Sequence, residues 1–284
     1  MKHRYLAIAG FAEGSLLLGT VALLLVATAP LPAQQELTST DLLVRVVAAD
    51  AKVIGSGVGG VRVTIRDASS GELLAEGVQE GGTGSTDRIV RQPRVRGESV
   101  YDTEGTAGFL ASLELRRPTV VEVTAEGPLD YPGSARTAST TLLMIPGEDV
   151  TGDGLVLTLH GFVLRVLSPE EGTRVEAGQP IRVRAHLQMM CGCPTEPGGL
   201  WDSDRYGMEA RLLSEGELVA EAPLEFAGKT SHFEADLRVP DRLEPDGALE
   251  VEVVAFDPER VNFGHDRVRL EPTGDDLGRR RPRP

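Results

Sequence analysis

Most of the chain after Asp41 alternates apolar and polar residues with a period of two. The alternation is clearest in residues 61–66, 121–125, 155–159, 181–187, 233–239 and 249–255. A period of two is typical of half-buried β-strands, and turn signals such as Ser70-Gly71 and Glu104-Gly105 separate the runs. No long segment after residue 34 has a helical stripe. The pattern predicts an all-β protein built from antiparallel β-sandwiches.

The spacing of the strands divides the chain into two tandem sandwich domains. We predict the first over residues 41–160 and the second over residues 162–271, with a tight junction at Gly161. So short a connection indicates that the two domains are held in a fixed relation. Residues 272–284 form a polar tail with four arginines, which we predict to be disordered.

An apolar segment near the N-terminus follows the basic residues Lys2 and Arg4. Such an order is typical of a secretory signal, and Leu31-Pro32-Ala33 is the better of two small-residue cleavage patterns. The alternative is a retained membrane anchor over residues 6–31, although the stretch from Gly14 to Ala29 is short for a span. Residues 1–33 are therefore predicted to be a signal peptide or an anchor helix. Both alternatives place the rest of the chain outside the cytoplasm, periplasmic or secreted.

The overall charge restricts the class of partner. The chain has 29 basic and 43 acidic side chains and a net charge of −14. Nucleic-acid binding requires clustered Lys and Arg, so this balance excludes a nucleic-acid partner. Membrane contact is expected only through the N-terminal helix, if that helix is not cleaved. The contents of 40% hydrophobic and 25% charged residues exclude a wholly disordered chain.

Two segments of the first domain carry a family resemblance. They are Gly59-Gly60-Val61-Arg62-Val63-Thr64-Ile65, followed by Ser70-Gly71-Glu72, and later Asp102-Thr103-Glu104-Gly105-Thr106-Ala107-Gly108-Phe109. This pattern resembles the carboxypeptidase regulatory-like (transthyretin-like) domain, a small β-sandwich, and the polar insertion Gln79–Ser99 departs from it. The second domain, with Ser168-Pro169-Glu170-Glu171-Gly172, looks like a bacterial immunoglobulin-like module. The resemblance implies non-catalytic binding or spacer domains.

The segment from His186 to Cys193 has the most unusual chemistry in the chain. Cys191 and Cys193 are separated by one glycine and preceded by Met189. Thiolate, thioether and imidazole are ligands that suit Cu(I), so Cys191, Cys193, Met189 and His186 form a candidate metal site. The same cysteines could instead form a structural disulfide, exchange thiols and disulfides, or stay inert. The spacing does not match a zinc site.

Two polar loops are weaker candidates. Asp149-Val150-Thr151-Gly152-Asp153-Gly154 imitates the start of a calcium loop, but its twelfth position is His160 rather than Glu, so we interpret it as an acidic turn. The loop from Asp257 to Asp266 is interpreted as a surface turn, near the cysteine loop if both lie at the same pole.

The sequence contains no motif of a serine hydrolase, a metalloprotease, a phosphate-binding loop or a dinucleotide-binding fold. We therefore predict no enzyme and no catalytic residue, and no cofactor unless Cu(I) binds. The predicted function is an exported binding or scaffolding protein with protein partners. One form of this is an accessory subunit on the outer face of a membrane complex, respiratory or photosynthetic. The alternatives are copper binding by Cys191 and Cys193, and then thiol–disulfide exchange.

Overall fold

The computed structural model describes residues 36–242 and 247–273, and these residues confirm the all-β prediction. The predicted signal or anchor (1–33) and the arginines of the tail lie outside the described residues. The described part contains no helix that is both long and apolar enough to span a membrane.

Seven strands form the first sandwich. They are β1 (Thr38–Ala48), β2 (Val61–Asp67), β3 (Leu73–Gln79), β4 (Phe109–Leu115), β5 (Thr119–Gly127), β6 (Arg136–Met144) and β7 (Val150–Leu159). One sheet has the order β4-β1-β7 and the other β3-β2-β5-β6. The two central strands of the second sheet, β2 and β5, bury every other residue, as Val61, Val63 and Ile65 do in β2.

Nine strands form the second sandwich. They are β8 (Phe162–Ser168), β9 (Thr173–Glu176), β10 (Pro180–Met189), β11 (Gly207–Ser214), β12 (Glu217–Pro223), β13 (Glu225–Phe226), β14 (His232–Arg238), β15 (Leu249–Asp257) and β16 (Asn262–Thr273). The sheets have the orders β13-β14-β10-β8 and β12-β11-β15-β16-β9. Pro272 and Thr273 belong to β16, although the sequence pattern assigns them to the tail.

The sequence pattern predicts antiparallel sheets, but two of the sheets also contain a parallel pair of strands. β1 pairs parallel with β7, and β9 pairs parallel with β16. In the second sandwich the chain leaves one sheet after β8, turns at residues 169–172, and enters the other sheet as β9. A strand that changes sheets in this way lies beside the last strand and runs in the same direction. Alternating apolar residues specify strands but not the direction of their pairing.

The polar insertion of the first domain is a folded cover over the sheet β4-β1-β7. Ile89 of this insertion, together with Tyr101 and Ala107 that follow it, packs with Val47 and Val53 as a small second core. Asp153 in β7 holds the cover in place by accepting hydrogen bonds from the Ser99 hydroxyl (2.5 Å) and from three successive backbone N–H groups, those of residues 100–102. In the sequence this segment stands out for its glycines and charged residues. In the structure its few apolar residues make the packing contacts.

The main hydrophobic core runs without interruption through both sandwiches. It includes Val58 and Leu159 of the first sandwich together with Phe162, Met190 and Trp201 of the second. The described residues from Glu36 onward accordingly form one compact unit. Only His160 and Gly161 separate β7 from β8.

Candidate functional site

The Cys-Gly-Cys loop lies at the junction of the two sandwiches and not on an open surface. Cys191 and Cys193 are joined by a disulfide, and both are about 95% buried, with exposures of 4% and 5%. The loop follows β10 and is closed by hydrogen bonds from Gly192 N to Met189 O (2.8 Å) and from Met189 N to Cys193 O (3.0 Å). Gly192 has φ of +77°, and a Cβ there would lie 2.9 Å from Val58 of the first sandwich. The loop therefore requires glycine both for its conformation and for its contact across the junction.

The structure does not bring His186 and Met189 together. Successive residues of β10 point to opposite faces of the sheet, so Met189 faces the interior and the Tyr206 hydroxyl lies 3.9 Å from its sulfur. His186 is half-buried on the other face, with its ring centroid 5.2 Å from that of His232. Burial lowers the pKa of His186, and the charges of His232, Arg165 and Lys229 lower it further. Among the described residues, no three His, Cys, Asp or Glu side chains are grouped as metal ligands.

The predicted surface turn lies at residues 258–261 between β15 and β16, but the residue that follows it is not on the surface. Asn262 is completely buried and joins the two sandwiches. Its Oδ1 accepts a hydrogen bond from Gly161 N (2.9 Å), and its Nδ2 donates one to Ala49 O (3.3 Å). This loop and the cysteine loop do lie at the same pole, because a Cβ on Gly161 would meet Met190 Sδ at 3.5 Å and Phe263 O at 3.1 Å.

A polar cluster at the same junction is centred on Asp50 of the first sandwich. The indole Nε1 of Trp201 donates to the backbone carbonyl of Asp50 (3.0 Å), and Arg260 Nε lies 2.8 Å from its carboxylate. Burial raises the pKa of Asp50, whereas the Arg260 charge opposes that rise. Burial, with the nearby charges of Asp257 and Asp50, raises the pKa of Tyr206 to about 12. These contacts fix the relative orientation of the sandwiches, and no pattern in the sequence predicts them.

Residues 149–154 are not the acidic turn that the sequence predicted, because residues 150–154 belong to β7, and the carboxylates of Asp149 and Asp153 accept internal hydrogen bonds. Asp153 accepts the four bonds described above, and Asp149 Oδ1 accepts one from Asp41 N (2.8 Å). Partial burial raises the pKa of Asp153, but these hydrogen bonds outweigh it, so the pKa lies below its ordinary value. The carboxylates that imitate calcium ligands therefore hold the insertion and the first strand.

An apolar groove of about 390 Å³ opens beside the junction. Its floor is the outer face of the sheet at the paired residues Phe256 and Phe263, with Val254 and His265 as the next pair. Phe263 is about half exposed, at 51%. Arg136, the first residue of β6, lines the groove from the other sandwich. We name the surface of Phe256, Phe263, His265 and Arg136 the junction groove.

The Arg136 guanidinium forms no ion pair with any described residue. Its Nη1 donates only to the neighbouring carbonyl of Ala135 (2.8 Å). Arg211, which also lines the groove, is by contrast 2.7 Å from Glu209 and 3.9 Å from Glu252. The junction groove therefore combines an aromatic floor with one uncompensated cation.

The fold and this junction define an all-β protein of two β-sandwiches that share one continuous core. No known protein family and no curated protein matches the chain. Among solved structures, the fibronectin(III)-like modules of CbhA from Clostridium thermocellum are 11% identical with a TM-score of 0.26, covering 80% of this chain and 89% of theirs. The titin domains z1z2 in complex with telethonin are 12% identical with a TM-score of 0.24, covering 85% of this chain and 98% of theirs. Likenesses at this level assign neither a family nor an activity.

Proposed function

We propose that this chain is a non-catalytic binding or scaffolding protein that presents two immunoglobulin-like sandwiches in one fixed orientation. The junction carries the proposal. Asn262, Trp201 and Arg260 each contact the backbone or side chains of residues 49–50 across it, and the core is continuous there. A flexible tandem would not require a buried polar contact with such specific geometry. A rigid pair holds two distant surfaces at a fixed separation, which suits a partner that contacts both.

We further propose that the protein works outside the cytoplasm on protein partners, as an accessory subunit at the outer face of a membrane complex. The basic and then apolar order of the N-terminal sequence supports export. The resemblance of the first sandwich to the carboxypeptidase regulatory-like domain supports a binding role. Copper binding and thiol–disulfide exchange by Cys191 and Cys193 stay predictions.

The test uses the full chain in its native membranes. Mild crosslinking and mass spectrometry should recover one partner complex at near-equal stoichiometry, and the mature N-terminus should begin near Gln34 or at Met1. A variant with Asn262→Ala and Trp201→Phe loosens the junction while leaving the sheets intact, and it should recover less of the complex. Glu221→Ala, an exposed position in β12 away from the junction, is the control for an exposed change. Equal recovery by both variants would contradict the fixed scaffold, and an intact chain in the cytosol would contradict export.

A further inference from the structure

The free edge of β6 differs from the other sheet edges of the described residues. An edge strand exposes unpaired N–H and C=O groups, and charged residues on it discourage further strand pairing. β13 is only two residues long, and the remaining edge strands each contain a charged residue (Glu76 in β3, Glu114 in β4, Asp153 in β7, Arg165 in β8, Arg174 in β9 and Glu221 in β12). β6 has nine residues, RTASTTLLM, and carries a charge only at its first residue, Arg136.

Within the described part of the chain, no backbone hydrogen bond occupies the outward side of this edge, although β6 also contacts β7 of the facing sheet. β6 pairs with β5 along its whole length, and no backbone hydrogen bond joins it to another strand. By contrast, side chains occupy the outward amides of β8, since Ser134 accepts from Leu164 N and Asp266 accepts from Val166 N. At the far end of β6, Leu143 is 55% exposed and is paired with Val120, which is 46% exposed. The β6 edge is thus long, uncharged along its middle, and apolar at its C-terminal end.

The β6 edge and the junction groove meet at Arg136. A segment added antiparallel to β6 would begin beside Leu143 and end beside Arg136. Its last residue would then lie at the groove floor of Phe256 and Phe263, next to a guanidinium without an ionic partner. An apolar side chain complements that floor, and a carboxylate complements that charge.

We propose that the β6 edge and the junction groove bind an extended C-terminal segment of a protein partner by strand addition. The segment pairs antiparallel with β6. Its final residue is apolar, and the terminal carboxylate binds Arg136. This inference rests on the proposed binding function and names the surface that performs it.

The test measures binding of a designed peptide to the full chain by fluorescence anisotropy. The probe is fluorescein-labelled Lys-Val-Ser-Thr-Val-Thr-Ser-Thr-Phe with a free carboxylate, which places Val beside Leu143 and Phe beside Arg136. We expect a Kd of about 100 µM, in the range of short peptide contacts. Replacing the carboxylate by an amide, or the central Val-Thr pair by Pro-Pro, should weaken binding at least about tenfold, because a charge-assisted bond or the strand ladder is lost. No binding at about 1 mM of the free-acid peptide would overturn the proposal.

Protein variants separate the edge from the groove. Arg136→Gln and Phe263→Ser should each raise the Kd about tenfold, whereas Arg174→Gln and Phe226→Ser, which change exposed residues elsewhere, should not. Successive N–H groups of an edge strand alternate between β5 and solvent, so one of Thr140→Pro and Thr141→Pro removes only an outward donor. The variant of this pair that keeps the native unfolding midpoint is the informative one, and it should abolish binding. If it binds the peptide normally, strand addition is wrong.

Sedimentation equilibrium of the chain alone tests whether a second copy of the chain occupies the β6 edge. A monomer is expected. A dimer that the same proline variant dissociates would assign the edge to a second copy and overturn the proposal. Because the recovery of a partner complex from native membranes is a separate measurement, failure of the peptide test leaves the scaffolding function standing.

Discussion

Asn262 provides the sharpest test of the fixed junction. Replacing it with Ala removes the acceptor for Gly161 N and the donor to Ala49 O, and both backbone groups lie in buried residues. Each buried group left without a partner costs about 1–3 kcal/mol, so we expect Asn262→Ala to lower the free energy of unfolding by about 3 kcal/mol. With a urea slope of about 3 kcal/mol per M, the midpoint should fall by about 1 M.

The chain contains a single tryptophan, Trp201, and it reports on this junction. It is buried at 7% exposure and hydrogen-bonded to Asp50 across the interface. Because the core is continuous, its fluorescence and the circular dichroism of the sheets should change together in the unmodified protein. His265→Ala, on an exposed position of the same strand, should leave both curves unchanged within about 0.5 kcal/mol. A loss below about 1 kcal/mol for Asn262→Ala would refute the argument that Asn262 holds the sandwiches together.

Three further predictions follow from local geometry and chemistry. Val261 has a φ of +58°, where a β-branched side chain is strained, so Val261→Gly should raise the free energy of unfolding by about 1 kcal/mol in a urea titration, while Val219→Gly in the extended strand β12 should lower it. The folded pKa of Asp153 is lowered, so the native state binds fewer protons than the unfolded chain; its contribution is present above about pH 4 and is lost as the pH falls through the folded pKa. The unfolding midpoint of Asp153→Asn should therefore lie below that of the unmodified protein at pH 7, and the difference should shrink as the pH falls through the folded pKa of Asp153; a difference that does not change with pH would be the contrary result. Reduced protein should take up about one Cu(I) per chain through Cys191 and Cys193, measured by competition with a chromophoric chelator. The oxidised protein and the double serine variant should take up none. If the reduced protein also takes up no Cu(I), the copper hypothesis is wrong.

The strands were predictable because local alternation encodes them. The run from Ile181 to Leu187 lies in β10, and the run from Phe233 to Leu237 lies in β14. Alternation does not encode which strands are neighbours, so the two parallel pairs were missed. Pairing depends on contacts between residues far apart in sequence.

The junction could not be predicted for the same reason. Asn262 and Ala49 are 213 residues apart, and Trp201 and Asp50 are 151 apart. Asn262 comes directly after Pro258-Glu259-Arg260-Val261, which forms an exposed turn, so its burial was not expected from its neighbours. The position of Cys191 was conspicuous from its chemistry, but only the folded chain shows that its loop packs against Val58.

The parallel pairs give the molecule a mechanical property. β1 and β7 are the first and last strands of one sandwich, and β9 and β16 lie side by side near the two ends of the other. Tension applied between the ends of the first sandwich pulls β1 and β7 along their length in opposite directions, so the hydrogen bonds between them are loaded together in shear rather than opened one by one. The two residues between β7 and β8 leave no slack to absorb extension. When it is pulled from its ends, the tandem should therefore resist extension. It should transmit the force to whatever is attached at its far end before it lengthens.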